Sequence, residues 1–198
     1  ATVFLREGPR AQRWFKAFAV LKRPIGLDLG VLERFEDRVE FVDRGCEIAP
    51  GVFLLTEIES DHPRPRGNRR LFVEANGVLK ADPFDHELMM VVREDDGMVV
   101  FTGCSHSGVL NMIDAARTRF PEVPIKALIG GFHLIGLPFY NSMAAGTGEV
   151  QAIGRDILDR VDGKVYTGHC TGEKAYRVLE GAMGERLLPF RTGTSVEL

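Results

Sequence analysis

Cysteine is scarce in this sequence, long apolar runs are missing, and positive charge is not in excess. Each absence narrows what the chain can be. The three cysteines, Cys46, Cys104 and Cys170, are odd in number and show no framework spacing. That argues against a disulfide scaffold and for free or metal-bound thiols in a reducing compartment, so a cytoplasmic location is expected. No apolar run approaches the ~18 residues that a membrane-spanning helix needs. Arg6, Arg10 and Arg13 interrupt any early hydrophobic segment, so no signal-peptide pattern is read. A formal net charge of −3 offers no global attraction to nucleic acid or to an anionic membrane, and neither is expected as a partner. A phosphate-binding P-loop, a dinucleotide fingerprint and a G-x-S-x-G nucleophile elbow are all absent. What is present is an ordinary globular composition, 44% hydrophobic and 27% charged over 198 residues, enough for one domain with a sizeable core.

Periodicity places elements along the chain. A short strand over 3–5 is followed by a helix start at Pro9, with Trp14, Phe15, Phe18 and Leu21 as its apolar stripe. Basic residues from Arg6 to Arg23 make a local positive face that reads as a solvated helix surface, with a phosphate-bearing substrate as the alternative. A second short helix is expected over 27–35, then strands over 38–42 and 52–58. Residues 60–68 carry two prolines, a glycine and several charges and read as an exposed loop, with His62 a surface histidine. A polar turn, Asp82-Pro83-Phe84-Asp85-His86-Glu87, leads into an apolar strand. Asp95-Asp96-Gly97 then closes a hairpin into a strand over 98–102. Antiparallel pairing puts the polar turn at the same sheet end as the residues that follow Thr102. Further on come a helix over 109–120, a strand over 125–129 and a long glycine-containing segment over 134–148, suited to a lid. A helix, a strand over 164–167, another helix and a closing strand over 187–190 complete the chain.

Three strands of the second half end in Gly followed shortly by His: Gly103 with His106, Gly131 with His133, Gly168 with His169. Two of these ends repeat a pattern, Thr102-Gly103-Cys104-Ser105-His106-Ser107-Gly108 and Thr167-Gly168-His169-Cys170-Thr171-Gly172. Histidine nitrogen and cysteine sulfur are ligands that zinc prefers, and strand-end turns are where α/β proteins place ligands. His106 and His169, in matching turns, read as functional. His133, between Phe132 and Leu134, reads from its neighbours as a hydrogen-bonded structural residue, and His86 stays open. Cys104 and Cys170 read equally well as small buried residues. A thiol site remains a rival, with Cys104 or Cys170 activated by His106 or His169 across the turns.

Taken together and in order, several pieces resemble the metallo-β-lactamase superfamily. They are Asp82-Pro83-Phe84 with Glu87-Leu88, residues 100–108 with Asn111, Ile129-Gly130-Gly131-Phe132-His133-Leu134, and residues 167–172. They look closest to the branch of metal-dependent hydrolases that includes dihydropterin-ribofuranosylaminobenzene-phosphate synthase-like proteins. The resemblance implies an α/β (α+β) fold, an αββα sandwich over 1–198 as one domain, with a one- or two-metal site between the sheet edges. It implies a hydrolase in which metal-bound hydroxide attacks an ester or phosphoester. His169 matches the superfamily's last histidine ligand, Cys104 stands where many relatives carry a bridging aspartate, and His106 follows as a branch-specific ligand. Ser105, His133, Cys170 and Thr171 then fall on the substrate side. The cofactor expected is a divalent metal ion, zinc first, with manganese or iron as alternatives. The partner expected is a small-molecule substrate that carries phosphate in one version of the reading.

The superfamily's His-x-His-x-Asp-His stretch is absent. The expectation is therefore the carboxyl-terminal part of such a domain, lacking its N-terminal part, with pairing to that segment or a homo-oligomer as further expectations. A non-catalytic remnant used for binding or assembly is the alternative function.

Overall fold

The computed structural model describes residues 1–6, 11–18, 20–59, 61–137 and 140–197. The first strand β1 (Val3–Leu5) is followed by β2 (Arg13–Ala17), β3 (Leu21–Pro24), helix α1 (Leu29–Arg34), β4 (Val39–Phe41), β5 (Cys46–Ala49) and β6 (Val52–Leu55). A 3-10 turn (Arg66–Arg70) precedes the hairpin β7 (Leu71–Ala75) and β8 (Val78–Ala81). The second half runs β9 (Met89–Glu94), β10 (Gly97–Phe101), α2 (Val109–Arg119), β11 (Ile125–Gly130), α3 (Thr147–Leu158), β12 (Lys164–Thr167), α4 (Glu173–Met183) and β13 (Leu187–Pro189).

Seven strands form the main sheet in the order β13-β12-β11-β10-β9-β6-β5. From β10 to β13 the neighbours are parallel, each pair joined through a helix, and from β10 to β5 they are antiparallel. Side chains alternate across this sheet as a strand period of two requires. Met98 and Val100 of β10 join the large core with Leu128 and Val165, under Met112 and Ile113 of α2, Ile157 of α3 and Leu179 of α4. Val99, Ala127, Ile129 and Tyr166 point to the other face and form a small second cluster. The result is the mixed α/β architecture expected. Among the described residues no helix is long and apolar enough to cross a membrane.

One expectation fails. The stripe Trp14, Phe15, Phe18, Leu21 does not lie on a helix. Strands β2 and β3 pair antiparallel, with Phe18 at φ 54° just after β2. Aromatic residues have high strand propensity, and β2 gains a second partner in β7 that local periodicity does not reveal. A four-stranded sheet, β3-β2-β7-β8, results, beside a separate parallel pair of β1 and β4. Pro9 lies outside the described residues. The long segment expected to be a lid carries an antiparallel bridge, Ile135 with Met143.

A buried polar network ties the four-stranded sheet to the polar turn before β9. Arg13 Nε donates to Asp82 Oδ2 at 2.9 Å, and Arg13 Nη2 lies 2.9 Å from His86 Nδ1. Arg13 has only hydrogens to give, so His86 Nδ1 accepts. Burial first, and then the charge of Arg13, lower the His86 pKa to about 4, against the opposing carboxylates of Asp82 and Asp85 and with a small push from His106.

Two outcomes follow. Ile113 is fully buried at the centre of α2, so Ile113→Ala should cost about 2–5 kcal/mol, read as a lower urea midpoint. His86 is neutral when folded but takes a proton near 6.5 when unfolded, so the unfolded chain binds more protons and stability falls as pH drops from 6.5 toward 4. His86→Asn removes this contribution. Its stability should fall less steeply across that window in parallel urea titrations, and equal slopes would contradict the assignment.

Candidate metal centre

Because β10, β11 and β12 are parallel and adjacent, their carboxyl ends share one edge of the sheet. The turns that follow them, residues 102–108, 130–134 and 168–172, therefore converge there. Backbone and hydroxyl bonds stitch them together. Gly131 N donates to Gly103 O at 2.8 Å, and Ile135 N to Cys170 O at 3.1 Å. Ser105 Oγ donates to Gly131 O at 2.7 Å and lies 3.0 Å from Thr102 Oγ1. Thr171 Oγ1 accepts from Phe132 N at 3.0 Å and pairs with Thr167 Oγ1 at 2.6 Å. Ser105 and Thr171, expected on the substrate side, are fully buried with their hydroxyls turned into this scaffold. That placement departs from the sequence reading, and its reason is physical: a buried hydroxyl beside unpaired backbone groups is held by them.

At the converged edge, ligand atoms of Cys104, His169 and Cys170 all lie within 4.8 Å of one another. His169 is exposed and the two cysteines are half-buried. Cys170 Sγ lies 3.5 Å from the carbonyl oxygen of Cys104. Gly131 makes room for that sulfur, since a Cβ there would stand 2.7 Å from it. A hydrogen bond from the Cys170 thiol pulls the Cys104 thiol well below its ordinary pKa, helped by His106 and His169 and opposed by burial. The same bond, with burial, pushes Cys170 up. Two sulfurs and an imidazole are a soft to borderline donor set, and such a set fits a transition metal better than magnesium or calcium. Cys170, expected at the substrate, is brought among the donors. His106, expected as a ligand, is not one of these three mutually close groups.

His106 is nevertheless held with care. Its ring stacks on Phe84 at 4.4 Å between centroids and 13° between planes, and meets the His133 ring at 4.2 Å. Asn68 Nδ2 donates to His106 O at 2.7 Å, which orients the amide so that its Oδ1 accepts from His106 Nδ1 at 3.1 Å. Below the turn, Glu87 accepts from His106 N at 2.7 Å and Ser107 N at 2.6 Å, one bond to each carboxylate oxygen. Phe84 is fixed in turn by its N–H bond to Asp82 Oδ1 at 2.9 Å. His86 belongs to the Arg13–Asp82 network and stands outside the donor group.

His133 is the least satisfied residue of the cleft. Both ring nitrogens are buried without a hydrogen bond of good geometry, and the Gly67 backbone is the polar group beside them. Burial, then the neighbouring His106, lower its pKa to about 4, so the ring is neutral at neutral pH. It packs so closely on Gly67 that a Cβ there would come within 2.8 Å of Nε2. His62, read as a surface residue, instead pairs with Asp114 at 2.8 Å, and its backbone is clasped by Asn111. Four non-glycine residues hold left-handed backbone here: Phe84 (φ 58°), Ser105 (58°), His133 (46°) and His169 (48°). One falls in each of the four turns that meet at the cleft, and strain concentrated this way marks functional sites. Sequence reasoning missed Asn68 and Gly67, in a loop read only as exposed. The signal for Glu87 was available, because the hairpin places its turn at the correct sheet end.

No family model matches the chain. Two proteins of Methanocaldococcus jannaschii are similar in sequence. One is named 7,8-dihydropterin-6-methyl-4-(beta-D-ribofuranosyl)-aminobenzene-5'-phosphate synthase, 30% identical over 131 residues, or 65% of this chain and 42% of that protein. The other is an uncharacterized protein, 33% identical over 79 residues, or 39% of this chain and 25% of that one. The chain thus matches well under half the length of these curated relatives. A solved structure, Tm1679, described as a metal-dependent hydrolase of the β-lactamase superfamily, superposes with a TM-score of 0.80 at 30% identity. That superposition covers 100% of this chain and 71% of the other. With this likeness in sequence and structure, and a cysteine–histidine donor cluster at the strand ends, the chain belongs to the metallo-β-lactamase superfamily.

Proposed function

We propose that this cleft serves a metal-dependent hydrolase acting on a small ester or phosphoester, with zinc as its metal. The observation that carries the reading is the mutual approach of Cys104, His169 and Cys170 within 4.8 Å at the shared strand edge. These three residues would hold the ion, and His106, oriented by Asn68, stands beside them. Sulfur donors favour zinc or iron over manganese, which prefers oxygen. When bound, the metal supplies Lewis-acid polarisation and acidifies a coordinated water.

The chain's own residues do the rest. Bound as thiolates, Cys104 and Cys170 would partly offset the charge of a cation held between them. Neutral His133 packs its ring against His106 and so holds that residue beside the cluster. Glu87 fixes the backbone of His106 and Ser107, which keeps the first turn from relaxing when ligand enters. One observation favours a second reading. The lowered Cys104 thiol pKa would also suit a thiol nucleophile.

Metal analysis after zinc loading separates the two. Zinc should bind the wild type, and Cys104→Ala and His169→Ala should each weaken binding by at least about tenfold in chelator competition. Hydrolysis of p-nitrophenyl phosphate by the zinc-loaded protein should fall in the same variants. A wild type that binds no zinc, or a Cys104→Ala/His169→Ala double variant with undiminished hydrolysis, would refute the metal reading. Hydrolysis by metal-free protein that is abolished by alkylating Cys104 would instead establish the thiol reading.

A further inference from the structure

Cys104 and Cys170 follow β10 and β12, two strands that are not neighbours, because β11 lies between them. Next-but-one strands in a sheet stand roughly 9–10 Å apart, further than the roughly 7 Å across which two cysteine Cα atoms can be bridged. The two turns nevertheless bring their sulfurs within 4.8 Å of each other, over the end of the intervening strand. Gly131, just past that strand, leaves the path open. A Cβ there would stand 2.7 Å from Cys170 Sγ and 3.3 Å from Gly103 O, so a side chain would drive the sulfur aside. The turns are also held at this approach. Gly131 N donates to Gly103 O at 2.8 Å, and Ile135 N donates to Cys170 O at 3.1 Å. Cys46, the remaining cysteine, lies on the edge strand β5 and is exposed.

We infer that Cys104 and Cys170 are a reversible redox pair, which a peroxide oxidises to a disulfide that takes both sulfurs out of the donor cluster. A disulfide needs its sulfurs at about 2 Å. From within 4.8 Å, rotation about one Cα–Cβ bond, which carries a sulfur through roughly 3 Å, covers the difference. Cys104 is the less buried of the two and reacts first. With hydrogen peroxide, its thiolate attacks one oxygen: the S–O bond forms, the O–O bond breaks, and the departing hydroxide takes the proton given up by the Cys104 thiol and leaves as water. The sulfur, oxidised by two electrons, is then a sulfenic acid, and the peroxide is reduced by the same two. Cys170 attacks that sulfur next. The S–S bond forms, the S–O bond breaks, and hydroxide leaves with the Cys170 thiol proton as a second water. A dithiol reverses the step by thiol–disulfide exchange. Ligation by sulfur requires thiolates, so the disulfide and the donor cluster exclude each other. The consequence for the metal rests on the hydrolase reading, but the disulfide itself involves no metal.

The test exposes the metal-free chain to a small excess of hydrogen peroxide, then reads intact mass, free thiols and linked peptides. Mass should fall by about 2 Da, and free thiols from three to one, the one being Cys46. The Cys104 and Cys170 peptides should be joined, and dithiothreitol should restore all three thiols. The crosslink should form at least about tenfold faster in the folded chain than in urea, because the fold supplies the proximity. Linkage through Cys46, over-oxidation of Cys104 in place of a crosslink, or an equal rate in urea would each overturn the inference, and none of these readouts needs a variant to fold. Cys170→Ala should leave Cys104 as a sulfenic acid that dimedone traps. Gly131→Ala should slow the crosslink by at least about tenfold, and an unchanged rate would overturn the role of Gly131. With zinc loaded first, peroxide should release the metal to a chromogenic chelator as the crosslink forms. A crosslinked chain that keeps its zinc would overturn the exclusion. A chain that binds zinc yet forms no crosslink loses the redox pair and keeps the hydrolase reading. One that forms the crosslink but binds no zinc keeps the redox pair and loses the hydrolase reading.

Discussion

Parallel pairing of β10, β11 and β12 is the constraint from which the cleft follows. Parallel neighbours end at the same edge, and each must be followed by a crossover helix that starts near that edge. The connections after β10 and β12 are short and glycine-rich, the one after β11 is longer, and all three crowd together above the sheet edge. Crowding brings Cys104, His169 and Cys170 within ligand distance although 66 residues separate the two cysteines. It also exposes each turn to the same difficulty. Backbone groups that leave the sheet there are buried without strand partners, and Ser105, Thr167, Thr171 and Glu87 are the side chains that satisfy them.

That division explains why neighbours in the motifs do such different things. Within residues 102–108 the side chains alternate between holding the turn and facing the cleft. Thr102 and Ser105 bond inward, while Cys104 and His106 face other turns. Within residues 168–172 Thr171 bonds inward while His169 and Cys170 join the donors. The left-handed backbone of Ser105 and His169 is part of the same arrangement. It costs roughly 1–2 kcal/mol at each residue, and a large buried core under α2, α3 and α4 can carry it.

Much of this was legible in the sequence because it is local. The strand–turn–helix periods around residues 98–119 and 164–183 have their observed counterparts in β10, α2, β12 and α4. The two-residue hairpin at Asp95 and Asp96 correctly placed the Glu87 turn beside His106. What was not legible is long-range. The stripe at Trp14 and Phe15 fits a helix by spacing, and pairing with β3 on one side and with Phe72 and Leu71 of β7 on the other makes it a strand. Asn68 looks like one more polar loop residue until the fold brings it against a histidine 38 positions away. Ser105 and Thr171 have the same chemistry whether they face a substrate or a carbonyl, and burial alone separates the two.

His133 joins these strands of reasoning. Its setting between Phe132 and Leu134 suggested a satisfied structural histidine, whereas its ring nitrogens are buried without a hydrogen bond of good geometry. Three features hold it in that state against its own preference: left-handed backbone, close contact with Gly67, and ring contact with His106. A fold that wanted only packing at this position would be more stable with an apolar ring, because the poorly bonded nitrogens would then be gone. The same argument separates the histidines of this chain by role. His86 and His62 already have their partners within the fold, His169 stands among the donors, and His133 packs between Gly67 and His106.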